Sequence, residues 1–363
     1  MKTKPITKFA ILALSLVLVA CAGGGSEEAG CPAIDGREIN VVATTPMIGE
    51  FVSQVGGEKI NLTVLMPPEA NPHTYEPAPQ DAGTIAEADL VFYTGLLYEP
   101  AALVKLLENS ACSTDILSEV GESVFPIEFK EGGHDDHDDH DDHDDEEGHD
   151  DEEGHDDEEG HDDEEGHDDE EGHDDEEGHD DHEGHNHGAY DPHFWFDPSR
   201  VAYAAEYIES RLIEFDPENE SSYKSSADSF VSELNDLTKQ VSELISTVPS
   251  QNRKLITTHE SLGYLEAKFG LEVLSTIIPS LNSANEISPS DLAGVIDVIE
   301  DNNVKVIFIE SEAPSVYSET IVAETGIKPV TGLYVETLKP GQSYSEFLIS
   351  NVTLITENLQ DTD

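Results

Sequence analysis

The amino-acid sequence predicts an α/β protein of two lobes, each a mostly parallel sheet flanked by helices, joined by a long rigid spine helix. Three observations predict it: short β-rich runs alternate with helical stretches in both halves, a chain of 363 residues suits two domains, and one apolar periodicity near the middle exceeds what a single lobe needs. Elements follow in order from residue 35. Glu38 to Thr44 reads as a buried strand, Pro46 to Val55 as the helix after it, and Lys59 to Met66 as a second strand stopped by Pro67 and Pro68, which lack the N–H a ladder needs. Pro79 to Ala88 is helical, Asp89 to Thr94 is a strand, Pro100 to Asn109 is a helix, and a strand near Val124 to Phe129 closes this part. A helix from Ser199 to Phe215 completes a first lobe spanning residues 35–215. Asp216 then stands as an N-cap with Pro217 and Glu218 in the first turn, opening the spine helix over residues 216–248. Its apolar face carries Tyr223, Phe230, Leu234, Leu237, Val241 and Leu244, and some thirty residues give it about 45 Å.

The second lobe, residues 249–363, repeats the alternation. Strands are expected at Lys254 to Thr258, Leu271 to Ile277, Val304 to Ile309 and Pro329 to Leu333. Helices are expected at Ser261 to Phe269, Pro289 to Asn302, Ser315 to Thr325 and Tyr344 to Leu359. In such open sheets a ligand sits beyond the carboxyl ends of the strands.

Two segments fall outside this alternation. Lys2, Lys4 and Lys8 precede an apolar run from Phe9 to Ala20, which predicts a secretory signal over residues 1–20. Leu18-Val19-Ala20-Cys21 resembles a bacterial lipobox, so Cys21 is the expected lipidation site, with residues 21–34 as tether. That reading predicts an exported chain, anchored to the outer face of the cell membrane or in the periplasm. Cys31 and Cys112 remain, and a disulfide between them is permitted but not required.

The other segment, residues 131–189, is rich in Asp, Glu and His and holds no core-forming pattern. Its histidines are His134, His137, His140, His143, His149, His155, His161, His167, His173, His179, His182, His185 and His187, with HDDEEG repeating from His149. Lacking apolar surface to offset the entropy of ordering, it is expected to be a disordered loop, and its imidazole and carboxylate density makes it a metal collector. An EF-hand reading fails because calcium loops open with Asp where this repeat has His. From Glu131 to Glu183 the tract holds 34 of the 80 acidic residues; outside it 46 acids still face 17 bases. A balance of that sign argues against nucleic acid and anionic headgroups as partners.

Thirteen of the 16 histidines lie in the tract, leaving His73, His193 and His259. Each lies in a loop near a strand end: NPHTYEP, DPHFWFDP and TTHE. Three imidazoles suit Zn²⁺ in tetrahedral geometry, with a fourth position for carboxylate or water. Imidazole binds metal only when neutral, so affinity is expected to fall below a pH of about 6.5. Glu76, Glu260 and Glu310 are nearby acids, expected to hold the histidines in orientation or to cap helices.

Here the chain resembles the zinc-type solute-binding lipoproteins of metal-specific ABC importers, the ZnuA-like group, from about Glu38 to the C-terminus. The carrying stretches are NPHTYEP, TGLLYEP at Thr94 to Pro100, HFWFDP, THESLGYL at Thr258 to Leu265, and IFIESE at Ile307 to Glu312, in the family's order. The resemblance implies His73, His193 and His259 as ligands, and Glu336 in GLYVETL as the fourth. It also implies a monomer that delivers its ion to a permease and ATPase, and the acidic histidine-rich insertion is typical of zinc rather than Mn²⁺ members. A surface adhesin or metal buffer on the same fold differs only in partners. An enzyme reading is weak: His259-Glu260 begins a zincin motif, but Gly263 stands where HExxH needs its second His, and neither GxSxG nor a P-loop occurs.

Overall fold

The computed structural model describes residues 31, 34, 36–129, 190–312 and 316–360. The signal segment, Cys21 and the acidic tract with its thirteen histidines lie outside the described residues.

The first lobe contains β1 (Ile39–Ala43), α1 (Pro46–Gly56), β2 (Ile60–Val64), α2 (Pro79–Ala86), β3 (Leu90–Tyr93), α3 (Ala101–Ser110) and β4 (Leu117–Glu119). Its four strands form one parallel sheet in the order β2-β1-β3-β4. Next come α4 (Pro198–Phe215) and α5 (Glu220–Ser246). The second lobe contains β5 (Lys254–His259), α6 (Gly263–Phe269), β6 (Glu272–Ile278), α7 (Pro289–Asp301), β7 (Val306–Glu310), α8 (Val316–Thr325), β8 (Lys328–Leu333) and α9 (Tyr344–Gln360). Its strands pair in parallel as β5-β6 and β7-β8, and β5 lies beside β7.

Strand alternation divides the apolar residues between an inner and two outer cores. Val41, Leu90, Phe92, Leu255 and Phe308 point into one central core, shared with the apolar faces of α1, α4, α5 and α9. Val42 and Val91 point the other way, toward Leu103 and Leu107 of α3; Ile256 and Ile307 point toward α7 and α8. The spine helix α5 therefore runs through a core built by both lobes. It buries Tyr223, Ala227, Phe230, Leu234, Leu237, Val241 and Ile245, a three-and-four spacing that confirms the expected face except at its end, where Ile245 replaces Leu244.

Two departures from the sequence reading exceed a residue or two at an element's end. Asp216 does not cap α5 directly: a 3₁₀ turn at Pro217–Asn219 intervenes, and the Asp216 carboxylate accepts from the Tyr223 hydroxyl at 2.6 Å. Val124 to Phe129 is not a strand. The edge strand is β4, three residues long and easily missed, whereas Val124 ends a 3₁₀ turn, Phe125 is left-handed at φ 52°, and only Glu128 makes an isolated bridge, to Tyr190. Pro126, which has no N–H, stands in the middle of that apolar stretch. Cys31 and Cys112 form a disulfide with Cα atoms 5.0 Å apart, tying the segment before β1 to the end of α3.

Candidate metal centre

His73 and His193 are placed by the same local device. Each follows an Asx-Pro pair, and in each the Asx side chain turns back to accept the histidine N–H: Asn71 Oδ1 from His73 at 2.9 Å, Asp191 Oδ1 from His193 at 2.8 Å. Proline fixes the intervening φ and cannot compete as a donor. Asp191 Oδ1 also lies 2.8 Å from His193 Nδ1. The Asn71 amide has another task, donating to Ser283 Oγ at 3.0 Å and to the Glu312 carbonyl at 3.2 Å in the second lobe.

After His193, the buried run Phe194-Trp195-Phe196 forms a 3₁₀ turn that fastens the lobes together. Trp195 Nε1 donates to the Val335 carbonyl at 2.8 Å, and the Tyr344 hydroxyl donates to the Trp195 carbonyl at 2.7 Å. This brings Glu336, in the loop after β8, against His193.

His259 is the last residue of β5 and Glu310 the last of β7. Glu310 holds His259 twice, accepting its backbone N–H at 3.2 Å and facing its Nδ1 with the other oxygen. Ser261 Oγ donates to the same carboxylate at 3.3 Å. With Nδ1 of both His193 and His259 against carboxylates, those nitrogens carry the protons, and the Nε2 atoms turn inward.

The inward atoms converge. Glu336 Oε1 lies 3.0 Å from His73 Nε2 and 3.0 Å from His259 Nε2, and Oε2 lies 3.4 Å from His193 Nε2. One ligand atom from each of the four residues falls within 4.8 Å of the others. Glu336, His193 and His259 are buried, and the Nε2 atoms of both histidines face the Glu336 carboxylate. Buried imidazole nitrogens and a carboxylate converging on a common point are a donor set suited to an ion of the right size.

Electrostatics reinforce this. Burial is the largest influence on each group and opposes its charge, but specific partners outweigh it. Asp191 and Glu336 raise His193 to about 9; Glu310 and Glu336 raise His259 well above its ordinary value; the surrounding histidines hold Glu336 well below the carboxylate range. Without an ion, the lowered Glu336 carboxylate faces His193 and His259, both shifted toward their protonated forms. A divalent cation replaces those protons.

Of the acids expected to orient histidines, Glu310 does so. Glu260 does not: it accepts from Thr276 Oγ1 at 3.0 Å, a bond that ties it to β6. Glu76 is exposed. Sequence reasoning missed Asp191, Tyr98 and Glu312. Tyr98 donates its hydroxyl toward Glu336, and Glu312 accepts the N–H groups of Val335 and Glu336 at 3.2 and 3.4 Å. Burial, then Glu336 and Glu310, raise the Glu312 carboxyl to about 8. The repeated Asx-Pro-His pattern was the available signal for Asp191; Tyr98 and Glu312 lie in the stretches TGLLYEP and IFIESE that carry the resemblance, but nothing local in either gives them a role at the site. Gly263 lies against Asp191: a Cβ there would stand 2.8 Å from Oδ2, so the position where a zincin would place histidine has no room for a side chain.

Comparison with known proteins agrees with this site. The family model described as "Zinc-uptake complex component A periplasmic" matches residues 41–358. The chain is 26% identical over 361 residues to the high-affinity zinc uptake system protein ZnuA of Bacillus subtilis, covering 97% of this chain and 96% of that protein. It is 25% identical over 366 residues to the manganese ABC transporter substrate-binding lipoprotein PsaA of Streptococcus anginosus, covering 98% and 99%. Among solved structures it resembles the periplasmic zinc binding protein TroA from Treponema pallidum, with TM-score 0.68 at 19% identity over 89% of this chain and 99% of that one. Fe(III)-bound YtgA from Chlamydia trachomatis gives 0.67 at 23%, over 88% and 98%. With nearly the whole folded part matched, the chain belongs to the family of the zinc-uptake complex component A, ZnuA.

Proposed function

We propose that this protein captures Zn²⁺ in the cleft between its lobes and delivers it to the permease and ATPase of a metal ABC importer. The observation that carries the reading is the convergence of three imidazole nitrogens and one carboxylate oxygen within 4.8 Å. His73, His193, His259 and Glu336 are the ligands. The relatives' names divide between zinc and manganese. Donor chemistry favours zinc: three imidazoles and one oxygen match tetrahedral Zn²⁺, while Mn²⁺ is best served by more numerous oxygens. The relatives named as lipoproteins support a lipid anchor on Cys21 and an extracytoplasmic site. The protein is proposed to act as a monomer.

The tract is an auxiliary collector that raises the local metal concentration beside the selective site. Elemental analysis and calorimetry of a variant lacking residues 134–187 test both parts together. The expected result is one tight zinc equivalent retained and the weaker equivalents lost; a deletion with no tight site would refute the cleft assignment. In the full-length chain, H161A is expected to be nearly silent at the tight site. A competition in which Mn²⁺ displaces Zn²⁺ at equal concentration overturns the choice of metal.

A further inference from the structure

We propose that Tyr98 sets how many oxygens Glu336 presents to the ion, and thereby determines the preference of the site for four-coordinate zinc. This rests on the zinc reading above and names the residue that enforces it.

Both oxygens of Glu336 border the cluster: Oε1 is 3.0 Å from two imidazole nitrogens and Oε2 is 3.4 Å from the third. An unrestrained carboxylate in that position can chelate with both oxygens and add a fifth donor. The Tyr98 hydroxyl lies 3.0 Å from Oε2 and 2.9 Å from the Glu336 carbonyl. A phenol has one proton, and the charged oxygen is the stronger acceptor. With Oε2 held by that bond, Oε1 alone faces the ion, and the donor set is three nitrogens and one oxygen.

The phenol has little freedom to move aside. Tyr98 is 1% exposed, and its ring meets His73, His193 and Trp195 edge-on at centroid distances of 5.1, 6.0 and 5.3 Å. The chain reaches this position through unusual backbone. Gly95, Leu96 and Leu97 all have positive φ, at 77°, 53° and 62°. Two consecutive leucines in the left-handed region are strained, and such strain persists only where the surroundings impose it. Here Glu99 accepts from Thr94 N at 2.6 Å and Gly95 N at 2.9 Å, and Glu119 accepts from Leu96 N at 2.8 Å. The turn leaves Leu97 65% exposed while burying Tyr98. A segment that exposes leucine in order to bury a phenol is organised around the hydroxyl's position.

The test compares wild type with Y98F in the full chain. Phenylalanine keeps the ring and its packing and removes only the donor. Less than one equivalent of Co²⁺ serves as a spectroscopic probe, filling the tight site ahead of the tract, and Zn²⁺/Mn²⁺ competition is measured on the same samples. Wild type is expected to show the intense visible absorption of four-coordinate Co²⁺. In Y98F that absorption should fall severalfold as the second oxygen enters, and the preference for Zn²⁺ over Mn²⁺ should narrow roughly tenfold, the scale of one hydrogen bond to a charged group. A purely structural role would lower both affinities without changing the spectrum. An unchanged spectrum and unchanged ratio in Y98F overturn the assignment to Tyr98 and leave the zinc reading standing. A weak, six-coordinate spectrum already in wild type overturns both.

Discussion

The two lobes hold their metal-facing side chains by different means. In the first lobe, His73 and His193 are fixed by side chains two residues away, Asn71 and Asp191, within turns complete in themselves. In the second, His259 and Glu336 are fixed from a distance: Glu310 reaches His259 across 51 residues, and Glu312 holds the Glu336 backbone across 24. Both histidine-supporting carboxylates, Asp191 and Glu310, do similar work on imidazole. Only the second kind also joins strands, since β5 and β7 meet through Glu310 and Thr258, whose hydroxyl accepts the Glu310 N–H at 3.0 Å. A local device can fail alone, whereas a distant one takes part of the lobe with it.

The largest expected effect is loss of the shared centre. H259A should cost more than the roughly 10–100-fold affinity loss typical of removing an outer partner, because it removes a ligand itself. Chelator competition measures this. D191A and E310A then separate the lobes' strategies. Both should weaken zinc binding by about 10–100-fold. Each breaks a buried ion pair and should cost about 3–5 kcal/mol, with E310A the costlier of the two because its carboxylate also accepts the His259 backbone N–H and the Ser261 hydroxyl where β5 meets β7. Equal melting-temperature losses in the metal-free variants would erase the distinction between local and distant support.

Acidity sharpens the picture next. His193 and His259 are raised in the folded, metal-free protein, His193 to about 9. A group raised on folding contributes stability that is complete below its unfolded value of about 6.5 and is lost as pH climbs through its folded value. The metal-free protein should therefore lose stability between about pH 6.5 and pH 9. Zinc affinity should move the opposite way, rising about one decade per pH unit for each proton displaced. The falling limb expected from free imidazole near 6.5 thus moves upward. Melting curves with and without zinc at several pH values should diverge across this window; parallel curves would mean the rings are neutral before metal arrives.

Much of this was legible in the residues. The helix–strand alternation, the α5 face and the three histidines could be read because each is a local pattern: periodicity, a proline stop, a residue type rare outside one tract. Glu310 was legible as an acid at a strand end. Tyr98 and Glu312 were not, because their roles depend on which loops the fold brings together, and no spacing along the chain encodes a contact across 238 residues. Glu260 misled for the same reason: adjacency to His259 in sequence suggested a partner, but Glu260 lies in the bend just past the end of β5 and turns to Thr276. β4 was lost because three residues carry no period.

The smallest expected effect concerns a side chain that belongs to both strategies. Asn71 supports His73 locally through Oδ1 and reaches the second lobe through Nδ2, donating to Ser283 and Glu312. Because α5 packs on helices of both lobes, large hinge opening is opposed by the central core, and release of the ion falls to contacts of this kind at the cleft. N71D keeps an oxygen for the His73 N–H, reproducing the Asp-Pro-His turn found at Asp191, but presents an acceptor to the Glu312 carbonyl where a donor stood. It should speed zinc dissociation about fivefold, the equivalent of one neutral hydrogen bond, with His73 still in place. N71A removes both functions and should add a loss of equilibrium affinity. Stopped-flow release into a chelator distinguishes them: if N71D releases zinc at the wild-type rate while N71A is impaired, Asn71 acts on His73 alone and the link across the cleft has no part in holding the ion.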